Sequence, residues 1–141
     1  MTTRAEVVEA ARKYLGARWQ HQARGDHALD CVGLLVRVGR DLGIADVRVS
    51  DYVKHPDGAR LLQEAGLYMR QIEKRNFAVG DALAMRFGSG APQHFGIVGD
   101  YFAGGFSLIH AYRGVSMVVE HRLDDVWRRR IVAAYALPGV E

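Results

Sequence analysis

The chain has 141 residues, 49% of them hydrophobic and 25% charged, with a formal net charge of +3. That is the size and balance of a single soluble globular domain. One cysteine excludes an internal disulfide and the paired Cys-x-x-Cys spacing of zinc sites, and the densest basic run, Arg128-Arg129-Arg130, lacks the interleaved aromatics of a nucleic-acid binder.

That basic run reads instead as a solvated strand end. The N-terminus, Met1 to Glu9, carries acidic residues and no apolar h-region, so no secretory signal is expected. No apolar run is long enough to span a membrane. Thr3 precedes Ala5, Val8, Ala11, Arg12 and Leu15, an amphipathic pattern closed by Gly16, which predicts a helix over about 4–15. Ala17 to Ala28 has no clear period but carries Trp19, His21, Gln22 and His27. It reads as a structured loop, where functional residues collect. Next come Asp30, a good N-cap, and Val32, Leu35, Val36 and Leu42 at helical spacing before Gly43, which predicts a second helix over about 30–42. Ile44 to His55 reads as irregular. Pro56-Asp57-Gly58 opens a third helix with Leu61, Leu62, Ala65, Met69 and Ile72 on one side, ended by Lys74-Arg75-Asn76.

From Val79 the period changes. Strands are expected over about 82–87, 94–99, 106–112, 115–120 and 131–137, separated by glycine-bearing turns and, at Asp124 to Trp127, a helical turn. Helices first and then a strand meander predict an α+β domain, with N-terminal helices packed on an antiparallel sheet of about five strands.

Cys31 falls in the first turn of the second helix. A thiol there faces unpaired main-chain N–H groups and the positive end of the helix dipole, both of which favour the nucleophilic thiolate. A lone cysteine is also a common small core residue. His94 opens one strand and His110 closes the next. With a short turn between antiparallel strands, the hairpin centre falls near residue 102, which makes the two histidines opposite or near-diagonal neighbours. A cysteine with two histidines offers a nucleophile (Cys31), a base (His94 or His110) and a ring that orients the base. Two strand histidines can equally be satisfied core or edge residues, and the same three side chains could hold zinc, although a fourth ligand and the usual spacing are missing.

The order of motifs is similar to that of a known family. Leu15-Gly16-x-x-Trp19-x-His21-Gln22 with Leu29-Asp30-Cys31-Val32-Gly33-Leu34 resembles the first block of the NlpC-type cell-wall cysteine peptidases. Gly80-Asp81-Ala82-Leu83 with His94-Phe95-Gly96-Ile97-Val98-Gly99 resembles the second, and Leu108-Ile109-His110-Ala111 the third. The resemblance implies a papain-like α+β fold and hydrolysis of peptidoglycan stem peptides, commonly between D-γ-glutamate and a diamino acid, without cofactor or metal. It matches Cys31 to the nucleophile, His94 to the base and His110 to the third residue. Asp30 matches the acidic residue before the cysteine, which holds the loop or meets a substrate amine. Trp19 falls where many members carry a tyrosine near the oxyanion site, and the Cys31 amide is the expected oxyanion donor.

The resemblance is greatest to short members encoded with phage tail genes, through Trp19-x-His21-Gln22, the stretch from Asp51-Tyr52 to Pro56-Asp57-Gly58, and the single-domain size. It implies an enzyme made in the bacterial cytoplasm without a signal peptide and carried by a tail to the wall, or used in tail assembly, with tail-tip proteins as partners. The mild basicity suits an anionic wall polymer. A catalytically dispensable tail-tip protein with the same fold is the competing expectation. Acyl transfer is disfavoured, because related acyltransferases run histidine before cysteine.

Overall fold

In the computed structural model the described residues are 2–21, 23, 25, 27–44, 58–88, 90 and 92–141. The expected irregular crossing after Ile44 and the Pro56-Asp57 helix start lie outside them. Helix α1 (Arg4–Arg12) begins with a reciprocal cap: Thr3 Oγ1 accepts from the Glu6 amide at 3.1 Å and Glu6 accepts from the Thr3 amide at 3.2 Å. It buries Val7, Val8, Ala10 and Ala11. It stops at Arg12, short of the expected Leu15, because a run of turns carries the chain into Gly16. Helix α2 (Cys31–Asp41) is capped by Asp30, whose Oδ1 accepts from the Gly33 amide at 2.7 Å. Helix α3 spans Gly58–Tyr68, and a short α4 spans Asp125–Arg128. Among the described residues no helix is long and apolar enough to cross a membrane.

The sheet has eight strands: β1 (Arg18–Trp19), β2 (Ala28–Leu29), β3 (Arg70–Ile72), β4 (Ala82–Met85), β5 (His94–Asp100), β6 (Phe106–Tyr112), β7 (Met117–Arg122) and β8 (Ile131–Ala136), in the order β2-β1-β7-β6-β5-β4-β8-β3. The α+β layout is as expected, and the five predicted strands form its antiparallel centre, with β8 carried across to pair with β4. The strand count of about five is corrected upward by three short outer strands, β2 and β3 at the two edges and β1 inside β2. β1 and β2 pair parallel, which makes the sheet mixed. β3 replaces the expected last turn of the third helix: Arg70, Gln71 and Ile72 pair with Ala136, Tyr135 and Ala134 at the open edge of β8. There the strand's unpaired main-chain groups capture the chain, and Ile72 packs with the sheet core. β7 starts later than expected, because Arg113–Val115 make a tight turn and Ser116 adopts a left-handed φ of 61°.

Two cores lie on opposite faces of the central strands. Phe95, Ile97, Ile109 and Ala111 pack with Val7, Val32, Leu34 and Val36 of the helices. Leu83, Met85, Val98 and Leu108 pack with Leu123, Ile131, Phe77, Phe106 and Trp127. His94 and His110 have the strand parity of this second set. The β5–β6 turn is closed by Tyr101 N–H to Gly105 O (3.0 Å) and Gly104 N–H to Tyr101 O (2.9 Å), with Gly104 at φ 98° and Gly105 at φ 78°, a backbone that side chains rarely adopt. Ile97 pairs with Ile109 and Asp100 with Phe106. The centre is therefore position 103, one residue beyond the expected 102.

The loop before α2 lies directly on the helix's first turn. A Cβ on Gly33 would sit 2.1 Å from the Ala23 carbonyl oxygen. Gly33→Ala should therefore destabilise the domain by about 1–3 kcal/mol despite alanine's better helix propensity. Urea denaturation followed by tryptophan fluorescence measures this, and an unchanged or higher midpoint would contradict the close approach.

Candidate active site

Helix α2 and strand β5 meet at the helix start. The Cys31 sulfur lies 3.9 Å from the main-chain oxygen of Gln93, the residue immediately before His94. Cys31 as a residue is only half-buried, but its sulfur is turned inward. No hydrogen bond joins Cys31 to His94 among the described residues; the thiol is directed at the Gln93 carbonyl instead.

The β5–β6 register brings the two histidines together as a diagonal pair. His94 Nε2 and His110 Nδ1 are 2.6 Å apart, with both residues buried. The His110 ring stacks on Tyr112, with centroids 5.2 Å apart and planes at 17°, and meets Trp127 edge-on at 4.9 Å. Phe87 lies 5.5 Å from the His94 ring, and the Arg130 guanidinium sits 4.3 Å from the Trp127 centroid. This aromatic wall keeps both imidazoles dry. Burial, then the Arg130 charge, lowers the His94 pKa to about 3. His110 is lowered too, by burial and then by the charges of His94, His121 and Arg130. Both rings are neutral at neutral pH.

The expected thiolate is corrected by the same physics. Burial first, and the Asp30 carboxylate second, push the Cys31 thiol up to about 12, against hydrogen bonds from the amides of Phe95, Val32 and Cys31 that favour the anion. The helix start does stabilise the thiolate, but desolvation outweighs it. At rest the cysteine is a neutral thiol and both imidazoles are neutral rings. Asp30 is 2% exposed and is committed to capping α2.

Trp19 is half-buried and held by pairing with Leu29, two positions before Cys31, with its amide donating to Ser116 O at 2.9 Å. Its ring faces the Arg113 guanidinium at 5.6 Å. The indole N–H has no acceptor among the described residues. Nor, among these residues, is any group of three or more His, Cys, Asp or Glu side chains arranged to hold a metal ion. The ring nitrogens of His94 and His110 point at each other.

No protein-family model and no curated protein matches the sequence. Solved structures do match the fold. The NlpC/p60 domain of the peptidoglycan hydrolase SagA superposes with a TM-score of 0.70 at 19% identity, over 95% of this chain and 98% of that one. NlpC1 from Trichomonas vaginalis matches with a TM-score of 0.65 at 18% identity, over 94% of this chain but only 42% of that one. The fold is that of NlpC/p60 domains. An N-acetylmuramoyl-L-alanine amidase from Bacteroides uniformis is also similar, with a TM-score of 0.66 at 10% identity over 96% of this chain and 98% of that one.

On this NlpC/p60 fold several side chains around the histidines escaped the sequence reading. Arg130, taken as part of a solvated basic run, is half-buried and lies over Trp127 and, at 5.0 Å, over Phe87. Arg128 and Arg129 of the same run are exposed. His121, on β7, lies 2.8 Å from His110, Nε2 to Nε2. Its signal in the sequence was its parity with His110 across the β6–β7 pair, hidden by the misplaced start of β7.

Two outcomes follow. A buried neutral imidazole refuses a proton that the unfolded chain accepts near pH 6.5, so the stability is fully present above that pH and is lost as pH falls toward the folded-state value. Each such histidine adds up to about 1.4 kcal/mol per pH unit to the acid slope. Replacing His94 by Gln should lower that slope by about 1 kcal/mol per pH unit between pH 6 and 4 in urea titrations; equal slopes would contradict the neutral ring. Asp30→Asn keeps a capping oxygen but removes the charge, so the Cys31 thiol should titrate lower. Iodoacetamide labelling across pH reads this, and an unchanged profile would show that the Asp30 charge is not felt at the sulfur.

Proposed function

We propose that the chain is an NlpC-type cysteine peptidase that hydrolyses peptidoglycan stem peptides at the bond between D-γ-glutamate and a diamino acid. The observation that carries this reading is the buried His94–His110 contact, which begins one residue from the carbonyl that meets the Cys31 sulfur. The likeness to a domain of a named peptidoglycan hydrolase supports the substrate class. In this reading Cys31 Sγ attacks the scissile carbonyl carbon while its proton passes to His94. The oxyanion is met by the Cys31 amide at the helix start. His94 delivers the proton to the leaving nitrogen, leaving a thioester. Water, deprotonated by His94, cleaves the thioester and restores the thiol. His110 orients His94 throughout. Because both partners rest neutral, charge separates only as the bond to carbon forms. In this reading Trp19 forms a wall beside the oxyanion region and Asp30 is the cap that holds the nucleophile's helix.

The setting we infer is a phage or phage-like tail, in wall entry or tail assembly, with tail-tip proteins as partners. Its support is the sequence alone, Trp19-x-His21-Gln22 and the stretch from Asp51 to Gly58, most of which lies outside the described residues. The similarity to a named N-acetylmuramoyl-L-alanine amidase favours a second target, the bond between the sugar and the first amino acid.

Cys31→Ala should abolish release of fragments from purified sacculi at equal protein concentration. Unchanged release would overturn the enzyme and leave the tail-tip docking role. Mass spectrometry of the wild-type products decides the bond: a new diamino-acid amine marks the D-γ-glutamyl target, and a free L-alanine amine marks the amidase target.

A further inference from the structure

The second nitrogen of His110 is also engaged. Its Nε2 lies 2.8 Å from His121 Nε2, and His121 Nδ1 lies 2.9 Å from the Arg122 carbonyl oxygen. With all three rings neutral, these contacts allow one arrangement of the protons. A carbonyl oxygen only accepts, so His121 Nδ1 carries a hydrogen. In a neutral ring that leaves His121 Nε2 as an acceptor. His110 must then donate from Nε2, which leaves His110 Nδ1 bare. His94 must donate from Nε2 to that bare nitrogen across 2.6 Å. Only His94 Nδ1 is left with a free lone pair.

We propose that His121 is a positioning residue of the active site, which acts through His110 to hold His94 in the Nε2–H tautomer with Nδ1 as its basic nitrogen. The proposal rests on the reading of His94 as the base. The chain of contacts runs across three strands, from β7 through β6 to β5, and ends on a main-chain oxygen that cannot change its role. Trp127 keeps it in line: its ring lies 4.9 Å from His110 and 5.0 Å from His121. Among the described side chains, His121 is the acceptor for His110 Nε2. Without it, the inner pair can reverse, with His110 donating from Nδ1 to His94 Nε2. That reversal places the hydrogen on His94 Nδ1, where it blocks proton uptake. The same direction helps once His94 is charged. The imidazolium donates to His110 Nδ1, and His110 donates onward, so each ring strengthens the acceptor before it.

Long-range proton–nitrogen NMR of the 15N-labelled full chain at mildly alkaline pH reads each tautomer directly. The expected result is Nε2–H for His94 and His110 and Nδ1–H for His121. In His121→Ala, His94 should become a tautomer mixture, and kcat for sacculus hydrolysis should fall about tenfold with KM unchanged. His121→Gln supplies an amide oxygen that can accept from His110 Nε2, and it should restore both the tautomer and kcat. An Nε2–H signal on wild-type His121, or a His94 tautomer indifferent to His121→Ala, overturns the proposal. If His121→Ala does not fold, the wild-type tautomers and the glutamine variant decide it. The tautomer readout does not depend on the substrate. Should Cys31→Ala leave hydrolysis intact while His94 still follows His121, the peptidase reading fails and the relay stands.

Discussion

The hydrogen bond between His94 and His110 sets the terms for the rest of the structure. Two imidazoles 2.6 Å apart in a dry pocket must share one proton between the facing nitrogens. A positive charge on either ring is opposed first by lost hydration and then by repulsion from its neighbours, Arg130 among them. Keeping the rings this close requires a fixed strand register and room around them. The backbone at Gly96 supplies the room: a Cβ there would come within 2.4 Å of Leu108 Cδ1 and 3.3 Å of the His110 Cβ. Phe87, Tyr112 and Trp127 then close the pocket.

The cysteine sits in a conflict that the fold does not remove. The start of α2 offers amides that favour an anion, yet the carboxylate needed to cap that helix stands next to the sulfur and opposes one. Burial decides the balance toward the neutral thiol. In the proposed reaction the helix start would receive the developing negative charge and the histidines the proton, and neither holds a charge at rest.

Much of this arrangement was legible in the sequence, and the gaps have physical causes. Thr3 and Asp30 marked two helix starts because a capping side chain must precede the apolar stripe. The alternation from Ala82 onward marked the central strands, and two glycines marked the hairpin that unites His94 with His110. Roles for Cys31, His94 and His110 came from motif order rather than from periodicity. The short outer strands were illegible because two or three residues carry no period, and β3 was masked by Met69 and Ile72 falling at helical spacing. His121 was missed because a left-handed Ser116, which no propensity foretells, delays β7. Arg130 was missed because a basic triplet reads as solvated unless the aromatic partners of one member are known to converge on it. The thiol's titration was misjudged because desolvation depends on tertiary packing, which a helix start alone does not report.

The turn at Gly104 and Gly105 acts as a length standard. Side chains alternate along a strand, so one residue added to or removed from this turn would carry His110 to the helix-facing side of β6 and bring a neighbour into its place. The pairing of the two rings is thus encoded in the number of residues between them as much as in their identities. Loop-length variation, commonly harmless at a surface hairpin, is here tied to the meeting of two buried rings, His94 ten residues before Gly104 and His110 five after Gly105.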